Sequence, residues 1–283
     1  MMAMTHVAQF VSIQSFVRLL GLGIFLVFLA SCAAIPERTT SPVPGQTSAR
    51  IIETLQERES RILTLKGLFH AEIDGKGMPF AQSLHGSIFY HRPDHYRIKG
   101  FTRFGGLVFD FILSGQLYAL RVQDQAQPVI GEMDNFQRLG ELRLPVLLSV
   151  RAVEVLLGKL LPRDKGLVAV EQGEDFYQFT ISPDPGSSTP TLIQHILVNQ
   201  ELLQVRQLEY VDPRGEAVVS IHTSDFRPVR GPTSVESTES DPMLMPFTVR
   251  VEDHVEAGKI TLEFQEIIAN EKLDQRLFTL TGF

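Results

Sequence analysis

From Gly67 onward the chain alternates apolar and polar residues with a period of two, in one short run after another, and this constrains its fold more than any other feature. Gly67, Phe69, Ala71 and Ile73 share a face, and Asp74-Gly75-Lys76-Gly77 is a turn. Residues 80–91, 96–102, 107–114 and 117–122 continue the pattern, with Arg92-Pro93-Asp94, residues 103–106 and Gly115-Gln116 between them. The pattern resumes at 167–171, 175–182, 191–199, 202–212 and 217–225. It ends in two alternating strands, one through Phe247, Val249 and Val251 and one through Ile260, Leu262 and Phe264. Strands joined by short turns pair as hairpins, so about twelve of them make one large antiparallel meander.

Two segments follow the other period. Residues 48–62 place Ile51, Ile52, Leu55 and Ile62 near one face, with Thr47 or Ser48 as N-cap. Residues 149–157 align Val150, Val153 and Leu157, with Gly158 as the stop and Pro145 and Pro162 on either side. Residues 136–142 fit neither period, 273–280 read as a closing turn, and 230–241 (RGPTSVESTESD) as a polar loop. The fold class is α+β: one antiparallel sheet of about 11–12 strands, curled and covered on one face by helices. Some strands are apolar on both faces, Val108 and Ile112 opposing Phe109 and Phe111, so the curl encloses an apolar interior. The chain has 19 Phe and no Trp. That suits such an interior, because an indole N–H needs a polar partner.

The N-terminus has a different logic. Before Cys32 the only charged side chain is Arg18, and residues 19–30 read LLGLGIFLVFLA. That run has the length of a signal-peptide core and is short of the roughly 20 residues of a membrane span. It ends Leu29-Ala30-Ser31-Cys32, which closely resembles the bacterial lipoprotein signal; a plain signal peptide or an anchor helix is the competing reading. The resemblance implies removal of residues 1–31 and acylation of Cys32 by diacylglycerol and an N-acyl chain, enough lipid for stable attachment. Ala33 after the cysteine resembles the outer-membrane sorting pattern, which implies anchoring at the periplasmic face. Residues 32–47 then form an acylated tether reaching up to ~45 Å, and 48–283 the folded domain.

The domain resembles the LolA/LolB superfamily of lipoprotein carriers and receptors. The order of helix and strands across 51–102 matches. So does Tyr96-Arg97-Ile98-Lys99-Gly100-Phe101-Thr102-Arg103-Phe104-Gly105-Gly106, against the receptor pattern of Tyr-Arg, an apolar strand, then Pro-Leu-Gly. At the C-terminus Pro246 opens a strand, 260–270 is the last long one, and Leu273-Asp274 with Leu277-Phe278 closes the chain, as in the carriers. The resemblance implies an unclosed half-barrel with a helical lid and a hydrophobic cavity. It also implies that the loop of Arg103, Phe104 and Gly105 meets the membrane, with Phe104 where the receptor has its protruding apolar residue. Arg103 replaces the family's proline.

Phe69, Phe89, Phe109, Phe111, Phe179, Phe247 and Phe264 are candidates for the cavity lining, against ordinary core packing. The implied partners are membrane lipid, acylated lipoprotein cargo and a LolA-like periplasmic carrier, with the protein a monomer. A lipid- or partner-binding lipoprotein of the same fold, acting in envelope assembly without sorting, is the alternative; an envelope hydrolase with an unusual site is a third. A nucleic-acid partner is disfavoured, because 26 Lys+Arg against 33 Asp+Glu leave a net charge of −7. One cysteine excludes an internal disulfide. His70, His85, His91 and His95 lack ligand spacing, so no metal is expected. No catalytic elbow, P-loop or dinucleotide fingerprint is present, so neither an enzyme nor a further cofactor is expected.

Overall fold

In the computed structural model the alternating runs pair, each antiparallel to its neighbours, into one sheet of fourteen strands. The structure describes residues 41–42, 45–75, 82–123, 127–132, 150, 152–159, 167–182, 192–229, 231 and 243–280. All belong to one unit, Thr40–Phe283. The signal sequence, Cys32, residues 33–40 of the tether, the 136–142 segment and nearly all of the 230–241 loop lie outside the described residues.

In chain order the strands are β1 (Ser41–Pro42), β2 (Thr64–Gly75), β3 (Gln82–His91), β4 (His95–Phe101), β5 (Leu107–Ser114), β6 (Leu117–Val122) and β7 (Val129–Glu132). Then come β8 (Leu167–Gln172), β9 (Phe176–Ser182), β10 (Ile193–Asn199), β11 (Val205–Val211), β12 (Ala217–Pro228), β13 (Leu244–Asp253) and β14 (Gly258–Ala269). The spatial order is β1-β8-β9-β10-β11-β12-β13-β14-β2-β3-β4-β5-β6-β7, so the last long strand joins the first and the two halves become one sheet. β1 and β7 stand at its two edges, and the half-barrel is unclosed. Both were missed by periodicity because segments of two and four residues are too short to show a period. Ser41 and Pro42 face Gln172 and Glu171, so part of the stretch read as tether already lies in the sheet.

The pleat gathers the core on one face. A continuous buried row runs across the sheet through Val170, Phe179, Ile196, Leu208, Ile221, Val251, Ile260 and Ile73, each paired with the next. Helix α1 (Gly45–Ser60) lays Ile51, Ile52 and Leu55 against this core. It starts two or three residues before the expected cap. A second helix, α2, comprises residues 150 and 152–156, and Val150, Val153 and Leu157 are buried as its spacing predicts. Gly158 ends it with φ +72°, a conformation that favours glycine.

Lys159, just beyond, ties α2 to the β3–β4 turn. Its Nζ donates to the Pro93 carbonyl, to Asp94 Oδ1 at 3.0 Å and to the Tyr96 hydroxyl at 2.7 Å, and lies 5.0 Å from the ring centres of Tyr90 and Tyr96. Burial, aided by the nearby Glu154 carboxylate, pushes the Tyr96 phenol well above its usual range.

The other face carries a small second layer. A 3-10 turn, Gln275–Phe278, crosses β4 and β5. Arg97 grips Asp110 through two hydrogen bonds of 2.9 and 2.6 Å and donates to the Leu277 carbonyl at 3.1 Å. Phe278 packs against the rings of His91 and His95.

Candidate functional site

Between the helices and the β9–β13 part of the sheet lies a cavity of about 570 Å³. Its floor is Phe179 on β9, Ile196 and Val198 on β10, Val205 on β11 and Phe226 on β12. One wall is the start of β13 at Leu244 and Met245, and the roof is Leu55, Arg58 and Ile62 of the α1 region with Val155, Leu156 and Leu157 of α2. The size falls within the roughly 300–1,000 Å³ of small-molecule sites. It is nearly four times the ~150 Å³ of an apolar cavity that admits benzene.

Seven polar residues also line it, Thr54, Glu57, Arg58, Glu59, Arg61, Gln204 and Thr223. Arg58 donates to the carbonyls of Leu202 (2.6 Å) and Leu203 (3.1 Å), fastening α1 to the β10–β11 turn. Glu59 is buried beside Arg92, which lies 3.8 Å from its carboxylate and donates to its backbone carbonyl. Thr223 donates to the Val205 carbonyl. Gln204 differs: it is 6% exposed, and neither atom of its amide has a partner. A chamber of this size has room for a small guest with apolar surface.

Only Phe179 among the phenylalanines singled out from the sequence lines this cavity. Phe69, Phe109 and Phe111 are buried on the same face of the sheet but belong to its packed half. Phe247 and Phe264 border a separate, more polar recess of about 500 Å³ with His70, Asp225, Arg227 and Glu263. Phe89 lies between Ile88 and Tyr90, which are buried on the inner face, so the pleat turns it outward and it is half-buried.

The contributions of α1, of α2, of the β10–β11 turn and of Gln204 were not evident from strand periodicity. The available signal was the aliphatic run Leu202-Leu203-Gln204-Val205, with one amide inside it.

Phe104 sits at the tip of the β4–β5 turn and is 97% exposed. The turn is closed by hydrogen bonds from Thr102 N to Gly106 O (2.8 Å) and from Gly105 N to Thr102 O (2.9 Å), and Gly105 takes φ +83°. That conformation is open to glycine, and it leaves the preceding ring pointing into solvent. In an antiparallel meander alternate turns share an end. The β4–β5 turn therefore shares an end with the β13–β14 turn, where Val255 is 72% exposed. The β10–β11 turn and the start of β13, which border the cavity, lie at the other end.

The four histidines form two cross-strand pairs, His70 with His85 and His91 with His95. Among the described residues no group of three or more His, Cys, Asp or Glu is placed to hold a metal, and no helix is long and apolar enough to cross a membrane.

No family model and no curated protein matches the sequence. Solved structures do match in shape. A DUF1329 family protein from Desulfovibrio piger has a TM-score of 0.60 at 12% identity, over 85% of this chain and 98% of that one. A LolA superfamily protein from Nitrosomonas europaea has a TM-score of 0.51 at 11% identity, over 80% and 96%. The fold is that of the LolA superfamily. A Vibrio parahaemolyticus domain described as an outer membrane lipoprotein-sorting protein also shares it, with a TM-score of 0.53 at 10% identity over 81% and 95%. In this LolA-type half-barrel the helices roof a hollow over β9–β13, while on the β2–β6 side aromatic rings lie close against strand glycines.

Proposed function

We propose that this chain is a lipid-anchored envelope lipoprotein that shelters acyl chains in the cavity under α1 and α2. The observation that carries the reading is the cavity itself, a largely apolar chamber of about 570 Å³ in a LolA-type sheet. Each CH₂ withdrawn from water contributes about 0.8 kcal/mol, so acylated cargo does not desorb freely, and a carrier must pass it from one sheltered site to another. No bond is made or broken in such a handover, and the role is not that of an enzyme. The LolB-like form of this function is acceptance of lipoproteins from a periplasmic carrier and their insertion into the outer membrane. Cys32 carries the anchor, and Phe104, flanked by Arg103 and Gly105, enters the acceptor leaflet. The description of the Vibrio parahaemolyticus relative as a lipoprotein-sorting protein supports this direction.

A second reading draws on one specific observation. Phe104 and the cavity border lie at opposite ends of the sheet, so a chain held at the cavity border is not next to Phe104. That arrangement favours a lipoprotein that holds lipid without sorting other lipoproteins.

Binding and sorting are tested separately. With the full chain in phosphatidylcholine nanodiscs, a dansyl-labelled undecanoic acid should show blue-shifted emission, and Val205→Phe, which narrows the cavity, should diminish the shift. An undiminished shift in that variant would remove the cavity from the account. In cells, Phe104→Glu should leave the protein folded and cause other lipoproteins to accumulate in the periplasm. Normal lipoprotein localisation in that variant would favour the non-sorting reading.

A further inference from the structure

We propose that Gln204 reads the carbonyl of the guest, so that the cavity takes ester- or amide-linked acyl chains in preference to bare hydrocarbon. The proposal rests on the acyl-binding reading and sharpens it to a ligand class. Among the described residues, the Gln204 amide supplies the only buried side-chain polar atoms without a hydrogen-bond partner, and both its oxygen and its nitrogen lack one. A buried amide left unpaired carries its full desolvation cost, so a sequence retains one only where something else repays it.

The surroundings identify what repays it. Gln204 lines the cavity beside Leu203, Val205 and Val198, and none of these side chains can hydrogen-bond it. The backbone is pinned: the Asn199 N–H donates to the Gln204 carbonyl at 2.8 Å, and Leu203 before it takes φ +49°. The side chain is held by no hydrogen bond. Its amide is sealed from solvent, and turning it toward a guest in the cavity that Gln204 lines breaks no existing hydrogen bond. Its NH₂ group can then donate to a carbonyl oxygen. A neutral ester or amide carbonyl suits this donor, and the aliphatic walls take the chain behind it. A saturated hydrocarbon fills the same space and leaves the amide as unsatisfied as before.

The test uses the full chain in phosphatidylcholine nanodiscs with two photoreactive probes at equal mole fraction. One is a diazirine-bearing methyl palmitate and the other a diazirine-bearing hexadecane. Labelling of residues 193–205 is mapped by peptide mass spectrometry and normalised to labelling of the phospholipid. The expected result is a preference for the ester of roughly three- to tenfold, the size of one net hydrogen bond. The preference should vanish in Gln204→Met and in Gln204→Leu, while hexadecane labelling is unchanged. Two apolar replacements guard against one failing to fold, and both should raise the melting temperature of the empty protein. Equal labelling by both probes in the wild type would overturn the role of Gln204 and leave the acyl-binding reading standing. A preference that survives both substitutions would assign carbonyl recognition to another group and overturn the proposal. Labelling by neither probe would overturn the acyl-binding reading, and the proposal with it.

Discussion

Over β2–β6 the inner face of the sheet is filled by aromatic rings lying on glycines, whereas over β9–β13 a floor of Phe179, Ile196, Val198, Val205 and Phe226 faces a chamber. In the filled half Phe69 stands opposite Gly86 and Phe109 opposite Gly100, with the two glycines themselves paired. A Cβ on either glycine would fall inside the contact radius of the facing ring. Phe264 lies over Gly67 in the same way, and Tyr118 over Gly131. The missing side chains make room for rings that close the interior, a known device for strand glycines. In the other half no glycine stands opposite the inward-facing residues: Ile196 pairs with Phe179 and Leu208, and Val198 with Tyr177 and Val205. The helices roof that space without filling it. One sheet thus supplies both rigidity and volume, and the division follows where glycine and phenylalanine stand opposite each other.

Substitutions in the two halves should therefore differ in size and in kind. The largest effect belongs to Phe111→Ala, which removes a fully buried ring stacked on Tyr118 in the filled half. It should cost about 3–5 kcal/mol by chemical denaturation. Gly86→Ala should cost about 1–3 kcal/mol, because both the Phe69 ring and the Lys99 carbonyl must give way to the new Cβ. In the hollow half Val205→Phe adds more atoms than that and should still cost less than about 1 kcal/mol, since Val205 is only partly buried and borders the cavity. If Val205→Phe proved as costly as Gly86→Ala, the contrast between the halves would fail. The smallest effect is Phe104→Glu, whose side chain touches nothing that packs. Its stability should stay within about 0.5 kcal/mol of wild type, while association of the protein with anionic vesicles falls.

The filled half was the more legible of the two in the sequence. Periods of two and 3.6 located the long strands and both helices, and the buried stripe of α2 falls where its spacing put it. The stretch from Tyr96 to Gly106 carried the resemblance that the solved structures support at the level of fold. The hollow was harder to see because a cavity is a relation between elements. Phe69 and Phe109 were read as its lining because they are large and inward-facing, and those same properties let them fill the interior. Gln204 was hidden for a local reason. Strict alternation backward from the inward-facing Val205 turns it to the outer face, but β11 begins only at Val205 and the left-handed backbone of Leu203 breaks the alternation there.

The central claim is that the hollow half holds acyl chains. Native mass spectrometry of the full chain, released from membranes into the gas phase, tests it most directly when wild type and Val205→Phe are compared. The account predicts a non-covalent adduct of acyl-lipid mass on the wild type that is diminished on the variant. An equal adduct on both proteins, or none on either, would contradict it.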